Sequence, residues 1–380
     1  MTVKERFLTA LENRKPDRLP VTTHHIMDSY LNDYEGGKGP MEFFRKYKMD
    51  PVVWISVAAP QEKKGQWIDP SSGYAGIQTE QWKVRCTKTV QDSLETGEYT
   101  IETPGGSLSV CLQSNAHTSW LIGPVIRDKS DIDILGSYMP DIFLDHGAVY
   151  EEVQRWGDSV LIRGTVPPFD IMGQPGCWQD AAVLVGIERL IMETYDDPAW
   201  VHELLKILQR RKVAYMNSAT GAPIDIYELG GGDASTTVIS PAIFNAYVAP
   251  YDKSIIEAAH ANRQRIVYHT CGGMMPILED IAAMGPHAME TFTPRAMGGD
   301  VDLREAHRRI GDKVCIIGGF DQHYYFTEAS EEETRAEVRR CFDSAGKDGG
   351  YILSPSDHFF DARPELLHAF ADEARACVYE

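Results

Sequence analysis

The sequence predicts an α/β protein, specifically a (β/α)8 barrel of the TIM type with a small antiparallel β insertion after the second strand. Short apolar runs rich in β-forming residues alternate with helical patterns along most of the 380 residues, as expected when parallel strands are joined by helices. Eight such runs can be traced, and eight strand–helix units favour a closed barrel over an open sheet. Because no internal repeat or low-complexity linker interrupts the chain, we expect one domain over residues 1–380.

The first elements lead into the insertion. A helix is predicted over Val3–Asn13, a first strand begins near Leu19, and a helix near Pro40–Lys48 precedes the second strand, "DPVVWISV". The period then changes between about residues 77 and 113. There "EQWKVRCTKTV", "GEYTIETP" and "GSLSVCL" alternate polar and apolar residues and are separated by "TG" and "PGG", which predicts antiparallel hairpins.

The strand–helix alternation resumes after the insertion. A long helical region is predicted from Trp178 to about Ala219, a second helix begins with Ser240 as N-cap and Pro241 at its first position, and the last helix runs from about Pro364 to Val378. The third to eighth strands are predicted in "DSVLIRGTV", "IDIYELGGG", "RIVYHT", "HAMETFT", "KVCIIGGFD" and "GYILSPSD".

The net charge indicates which partners the protein is not expected to bind, and the cysteines indicate the compartment in which it is expected to work. The formal net charge is −19, and an acidic surface repels nucleic acids and anionic membranes. No apolar run approaches the roughly 18 residues of a membrane span, and the charged N-terminus has no apolar signal core. Seven scattered cysteines are typical of a reducing compartment. We therefore expect a cytoplasmic protein without nucleic-acid or membrane partners; a homodimer is one assembly compatible with the sequence.

The strand ends hold the candidate chemistry, because barrel enzymes work at the C-terminal face where strands meet their loops. Many of the residues at these ends are potential ligands or acid–base groups. They are Thr22, His24 and His25; Gly164 to Pro168; Glu228 to Asp233; His269 and Cys271; Glu290; Asp321 and His323; and Ser354, Asp357 and His358.

The most specific pattern is His269-Thr-Cys271 at the end of the fifth strand. Residues two apart on a strand point the same way, and imidazole with thiolate favours Zn²⁺ over hard cations. A third ligand is needed, for which Asp357, His358 and Glu228 are candidates. The alternative is structural: a cysteine packed as a small apolar residue beside a histidine bonded to the backbone.

Other strand ends are less specific. His24 and His25 are adjacent, so only one is expected to face the barrel mouth, with Met27 following on the same opening. Glu228 precedes three glycines that would let the backbone approach a ligand closely. Asp321 is equally well explained as the cap of the next helix.

Several long segments resemble the uroporphyrinogen decarboxylase superfamily, whose fold is a (β/α)8 barrel. The resemblance covers most of the chain outside residues 52–161. It is carried by "KERFLTALENRKPDRLPV", "YELGGGDASTTVISPAIFNAYVAPYDKSII", "YHTCGG", "MGGDVDLREAHRRIGDKVCIIGGFDQHYYFTEASEEETRAEVRR" and "GGYILSPSDHFFDARPELLHAF".

One departure from the decarboxylases and one match place the chain nearer the cobamide-dependent methyltransferase branch. Where the decarboxylases carry a "MRQAGRY"-like arginine pair for substrate carboxylates, this chain has "TTHHIMDSYL". The methyltransferases carry an H-x-C pair and a later cysteine as zinc ligands. His269 and Cys271 match the pair, whereas the later cysteine is replaced by Asp357 and His358.

The resemblance implies a zinc-dependent methyltransferase that moves a methyl group from a methylated small molecule, such as an aryl methyl ether in an O-demethylation, to a corrinoid (cobalamin) carried by a partner protein. Zinc would be bound by His269, Cys271 and either Asp357 or His358. Catalytic roles are assigned to His24, His25, Glu228 and His358. Aromatic neighbours such as Trp54 suit an aryl group. Substrate contacts are assigned to Met27, Tyr30, Phe169, Asp321 and Phe359.

Two alternatives remain open at this point. One is a decarboxylase of a smaller organic acid that resembles uroporphyrinogen decarboxylase, with Asp357, His358 and the N-terminal histidines as acid–base groups. The other is a binding protein that holds a metal or tetrapyrrole without converting it. The ring of ionisable strand ends argues against mere binding, and only methyl transfer requires a corrinoid partner.

Overall fold

The structure, a computed structural model, describes residues 1–55 and 69–379. The strands of the parallel barrel sheet are short and mostly buried, as expected for the walls of a small barrel, and those of the insertion are mostly longer and more exposed. In chain order the strands are β1 (Val52–Trp54), β2 (Lys83–Gln91), β3 (Leu94–Thr103), β4 (Gly106–Ser114), β5 (Ser119–Leu121), β6 (Leu161–Thr165), β7 (Ile226–Gly230), β8 (Ile266–His269), β9 (Ala288–Thr291), β10 (Cys315–Gly318) and β11 (Tyr351–Ile352).

A curled parallel sheet forms the barrel wall. Within the described residues its order is β1-β6-β7-β8-β9-β10-β11, and every neighbouring pair is parallel. The predicted strands two to eight are all present. The last two residues of the predicted second strand, 56 and 57, lie outside the described residues.

The first predicted strand closes the ring as an irregular segment. The Thr22 amide donates to the Leu353 carbonyl (3.0 Å), the Leu353 amide donates to the Pro20 carbonyl (2.9 Å), and the Asp50 amide donates to the Val21 carbonyl (2.7 Å). Residues 19–22 therefore lie between β11 and β1. The eight-stranded (β/α)8 barrel is confirmed, with prolines at 16 and 20 leaving the first strand with only isolated pairing.

The insertion after β1 is an antiparallel sheet, as predicted. Its strand order is β2-β3-β4-β5, and its inner face is apolar because Val84, Ile101, Leu108 and Val110 are buried. The sheet extends to β5, beyond the predicted end near residue 113. The assignment of residues 1–380 to one domain stays a prediction.

The helices surround the barrel, and one predicted helix is divided. The region predicted as one helix from Trp178 to about Ala219 breaks at Gly186, where φ is +90°, and at Asp197, which caps the helix that starts with Pro198. In chain order the helices are α1 (Val3–Leu11), α2 (Asp28–Tyr34), α3 (Pro40–Tyr47), α4 (Asp131–Tyr138), α5 (His146–Trp156), α6 (Cys177–Val185), α7 (Ile187–Asp196), α8 (Pro198–Ser218), α9 (Pro241–Ile243), α10 (Ala249–Ala261), α11 (Leu278–Met284), α12 (Leu303–Ile310), α13 (Gln322–Thr327), α14 (Glu331–Cys341) and α15 (Pro364–Ala376).

Helix boundaries otherwise follow the predicted signals closely. The Ser240 side chain caps α9 by accepting from the Ile243 amide (3.2 Å). A π-helical turn over residues 244–248 joins α9 to α10. The last helix ends at residue 376, two residues before its predicted end. In the part of the chain that the structure describes, no helix combines the length and hydropathy needed to cross a bilayer.

The barrel interior consists of two layers, because side chains on a strand repeat every second residue. The lower layer is apolar and is closed at the bottom by Phe7 and Leu11 of α1. Its strand members include Leu161, Ile226, Val267, Ala288 and Ile352. Two residues further along four of these strands stand Arg163, Glu228, His269 and Glu290, which we call the polar layer. The polar layer therefore lies nearer the C-terminal ends of the strands.

Candidate active site at the barrel mouth

The strand register brings the polar layer together on one face. His269 pairs with Gly230 on one side and with Glu290 on the other, and Arg163 pairs with Trp54. Paired residues of parallel strands point the same way, so these side chains converge inside the barrel. All four polar-layer side chains are at most 13% exposed.

Arg163 bridges the two carboxylates of the polar layer. Its Nη1 donates to Oε2 of Glu290 (2.8 Å) and its Nη2 to Oε2 of Glu228 (2.7 Å); Nη2 also donates to Oε1 of Glu290. Burial alone would raise the pKa of Glu290, but Arg163, His24 and the hydrogen bond from His269 outweigh it and hold that pKa well below its usual range. Glu290 is therefore an ionised carboxylate.

His269 is oriented by Glu290. Its Nδ1 lies 2.8 Å from Oε1 of Glu290 and 4.0 Å from Oε1 of Glu228. Burial lowers the pKa of His269, yet hydrogen bonds with Cys271 and Glu290 and the charge of Glu228 overcome this and raise that pKa well above its ordinary value. With Nδ1 occupied by Glu290, both the hydrogen bond with Cys271 and any metal ligation fall to Nε2; orientation of the ring by a carboxylate is common among metal-binding histidines.

Three further histidines cover the polar layer. The His24 ring centroid is 5.0 Å from that of His269 and 5.3 Å from that of His358, and the His25 and His358 centroids are 5.2 Å apart. His25 stacks on Trp54 at 4.2 Å. Both N-terminal histidines thus lie at the mouth, where alternation along a strand predicted only one.

The pKa values of these outer histidines are low. Burial, with the neighbouring charges of His24 and Arg163, lowers the pKa of His25 to about 2. Burial and His24 also lower the pKa of His358, against the opposing effect of Asp357. His25 and His358 are therefore neutral imidazoles near pH 7 that can take part in hydrogen bonds, while their lowered pKa values make them weak proton acceptors.

The donor set of the mouth fits a transition-metal ion. One ligand atom from each of His24, Glu228, His269 and Glu290 lies within 4.8 Å of the others. Imidazole and carboxylate are Zn²⁺ ligands. Both oxygens of Glu290 already accept hydrogen bonds, whereas in the described residues only Oε2 of Glu228 accepts one from Arg163. Glu228 is thus the more available carboxylate ligand.

Cys271 lies beside His269 and against the glycine triplet. A Cβ added to Gly232 would meet Sγ of Cys271 at 2.7 Å, and one added to Gly230 would meet the His269 carbonyl oxygen at 2.3 Å. The triplet after Glu228 therefore admits the close approach of the His269–Cys271 segment. Cys271 is partly buried, and its role as a zinc ligand stays a prediction.

Asp357 and the predicted substrate residues occupy different surroundings. The Asp357 side chain is 41% exposed and accepts from the His358 amide at 2.7 Å. Met27 is the partly buried residue that precedes α2. Asp321 caps α13 by accepting from the Tyr324 amide (3.2 Å). The three aromatic residues predicted to contact the substrate, Tyr30, Phe169 and Phe359, are buried in the main core. Tyr30 and Phe359 pack edge to face.

Arg163 was missed by the sequence analysis, and Glu290 was noted without a role. Arginine is not a metal ligand, so Arg163 was not among the candidates, although Glu228 has the same position in β7 that Arg163 has in β6. The available signal was a charged residue inside an otherwise apolar run, two positions after a buried residue: "LIRGT" and "AMET". Trp54 was noted only as an aromatic neighbour, and it proves to be stacked on His25 with the Arg163 guanidinium 4.3 Å from its ring.

The chain is similar in sequence to known uroporphyrinogen decarboxylases. The family model described as uroporphyrinogen decarboxylase (URO-D) matches residues 121–377. A uroporphyrinogen decarboxylase from Pseudomonas fluorescens (strain Pf0-1) is 25% identical, covering 92% of this chain and 90% of that protein. One from Pseudomonas putida (strain W619) is 26% identical with the same coverage.

The structure is also similar to a solved structure of a methyltransferase from Methanosarcina mazei. The TM-score is 0.63 at 14% sequence identity, and the match covers 98% of each chain. At this identity the likeness establishes a shared fold. With a family model that spans well over half of its length, the chain belongs to the uroporphyrinogen decarboxylase (URO-D) family.

Proposed function

We propose that this chain is a methyltransferase that removes a methyl group from a methylated small molecule, such as an aryl methyl ether, and delivers it to the corrinoid of a partner protein. The observation that carries the proposal is the group of four ligand atoms within 4.8 Å of one another at the barrel mouth. It stands where barrel enzymes carry out their chemistry.

The metal-binding residues that we propose are His24, His269 and Glu228, with Glu290 orienting His269. Zn²⁺ bound there would supply Lewis acidity to the substrate heteroatom. The predicted set of His269, Cys271 and Asp357 shares His269 with this group. Cys271 adjoins His269, whereas the exposed Asp357 is turned toward its own backbone neighbour, which supports replacing it by Glu228 in the proposal.

The proposed reaction includes a charge step and a proton step. When the methyl–oxygen bond breaks, the electron pair stays on oxygen and the methyl group leaves as a cation equivalent to the corrinoid. The oxygen then needs stabilisation and a proton. As a proposed zinc ligand, His269 does not donate this proton; stabilisation of the oxyanion would come from the metal, and the proton from water at the mouth. Neutral His358 and His25 at the rim are suited to position that water through hydrogen bonds.

The first barrel segment supports methyl transfer over tetrapyrrole decarboxylation. In "TTHHIMDSYL" the positions after the first strand hold no arginine for a polyanionic substrate. Histidine occupies them instead, and both His24 and His25 belong to the mouth.

A decarboxylase of a smaller organic acid is the second candidate. It is favoured by the curated relatives named above, which are uroporphyrinogen decarboxylases over nearly the whole chain. In that reaction His269, whose pKa is raised by its hydrogen bonds with Cys271 and Glu290, would be the group suited to supply the proton that replaces CO₂. No methyl acceptor would be needed, so the two candidates separate in one experiment.

That experiment combines the protein with reduced cobalamin and a panel of aryl methyl ethers, and measures methylcobalamin and free phenol by chromatography. We expect equal amounts of both products, lost in His269→Ala and Glu228→Gln and retained in the exposed control His117→Ala. Absence of methylcobalamin, together with CO₂ release from an organic acid without cobalamin, would replace the methyltransferase by the decarboxylase.

A further inference from the structure

A second cavity opens beside the barrel mouth, between α3, the end of α5 and β1. Its volume is about 540 Å³, within the range of small-molecule sites, and its lining includes His24, His25 and Trp54. His24 also belongs to the metal-ligand group. The cavity and the candidate active site therefore share a wall.

The body of this side pocket is apolar. Met41 and Phe44 of α3 line it opposite Val53 of β1, with Trp156 at the end of α5. Phe44 is buried, and Met41, Val53 and Trp156 are partly buried against the main core. Apolar walls of this kind bind the hydrocarbon body of a ligand, because burial removes that surface from water.

Two arginines stand in the lining of the pocket. Arg155 lies over Trp156, with its guanidinium carbon 4.9 Å from the ring, and forms a distant ion pair with Glu152 (3.7 Å). Arg45 is exposed, and among the described residues no acidic side chain forms an ion pair with it. Two guanidinium groups therefore stand in the lining of one pocket, in a chain with 56 acidic and 37 basic residues. Glu42 is the acidic residue of the lining.

We propose that this side pocket binds an organic carboxylate with an apolar, aryl-sized body. The guanidinium groups of Arg45 and Arg155 pair with the carboxylate, a geometry for which arginine is well suited, and the apolar walls cover the body. One part of this inference rests on the proposed function. If the protein is a methyltransferase, the bound acid is the methyl donor, and its methyl group points to His24 at the shared wall.

The test measures binding without any corrinoid. 4-Methoxybenzoate is titrated into the full-length protein while the quenching of tryptophan fluorescence is followed, and equilibrium dialysis is run in parallel. The neutral methyl ester of the same acid serves as the matched ligand. The variants are Arg45→Gln/Arg155→Gln and, as a control on another exposed arginine, Arg304→Gln. Thermal melting checks that each variant is folded.

We expect the double variant to raise the Kd of the acid at least about tenfold, as for the loss of charge-assisted hydrogen bonds, with the ester and Arg304→Gln unaffected. Equal binding of the acid by the double variant and the wild type, or equal binding of the acid and the ester, would overturn the pocket assignment.

The methyl-transfer assay keeps this proposal separate from the proposed function. Arginine-dependent binding of the acid with no methylcobalamin formed leaves the pocket established and rejects the methyltransferase. Methyl transfer from 4-methoxybenzoate with an unchanged KM in the double variant would establish the methyltransferase and reject the pocket as the site of the acid.

Discussion

Arg163 sets the charge balance of the polar layer. A single buried guanidinium faces Glu228 and Glu290, both within direct hydrogen-bonding contact. Without it, two carboxylates would stand close together in a water-poor interior, which costs more free energy than their hydrogen bonds recover. Arg163 is therefore the residue that allows a carboxylate pair beneath the mouth.

Replacing Arg163 by Met should destabilise the protein by about 3–5 kcal/mol, because it leaves a buried charge without its partner. Urea denaturation followed by circular dichroism measures this. The double variant Arg163→Met/Glu290→Gln should recover part of the loss, and Arg163→Lys should fall between, since lysine cannot make the paired contacts. An Arg163→Met variant as stable as the wild type would contradict this role.

A substitution of Cys271 distinguishes the ligand set predicted from the sequence, which includes this cysteine, from the set proposed from the structure, which does not. If His24, His269 and Glu228 hold the metal, Cys271→Ser should retain most of it, while Glu228→Gln loses it. Zinc is measured by elemental analysis after purification without chelators, with Cys86→Ser in the insertion as the control. Loss of zinc in Cys271→Ser alone would restore the thiolate of the H-x-C pair as a ligand.

His287 gives the stability a defined pH dependence away from the mouth. Burial, with the charges of His260 and Arg265, lowers the pKa of His287 from an ordinary value near 6.5 to about 4. Between these values the unfolded chain binds the proton and the folded chain does not, so this contribution to stability is lost as the pH falls from 6.5 to 4.

Replacing His287 by Gln should flatten the stability curve over that window, by on the order of 2 kcal/mol between pH 6.5 and 4. Urea denaturation at half-unit pH steps measures it, with His117→Gln as an exposed control. Parallel curves for the wild type and His287→Gln would show that His287 does not titrate in this window.

The loop between β6 and α6 is held by a buried ion pair from another helix. Nζ of Lys212 in α8 donates to Oδ2 of Asp180 (2.9 Å), and to the carbonyls of Pro167 (3.0 Å) and Gln174 (3.1 Å). Asp180 also accepts from the Phe169 amide (3.1 Å). One lysine thereby fixes a loop that leaves the C-terminal end of a barrel strand.

Lys212→Met should cost about 3–5 kcal/mol, because Asp180 and two carbonyls lose a buried partner. Lys206→Met, an exposed change on the same helix, should be nearly neutral. Urea denaturation compares the two, and proteolysis should cut the Lys212→Met variant first within residues 167–176. Equal stability of both variants would show that the lysine does not hold the loop.

The helices show what periodicity predicts and what it misses. The apolar pattern from residue 178 to 219 is continuous enough to predict one helix, yet Gly186 adopts φ +90° and ends α6. A glycine inside a helical pattern fits either an interior position or a C-terminal stop. Which of the two applies depends on how α6 and α8 pack around the barrel, and a short stretch of sequence does not show this packing.

Across the whole molecule, the alternation of strands and helices predicted the barrel and the insertion correctly. The candidate site was predicted only in outline. His24, Glu228 and His269 were identified because they are potential metal ligands near the ends of predicted strands, whereas the partnership of Arg163 with Glu290 depends on the register between β6 and β9, which are separated by two strands. Register in a closed barrel is a property of the complete ring, so local patterns did not reveal it.

The central claim is that the barrel mouth binds a metal through the histidine–carboxylate group. Elemental analysis of protein purified without chelators tests it most directly, with the wild type beside His24→Ala, His269→Ala and the exposed control His117→Ala. We predict close to one zinc per chain in the wild type and in His117→Ala, and loss of zinc in the other two variants. Wild-type protein that is free of metal even after incubation with zinc, or zinc that persists in His269→Ala, would contradict it.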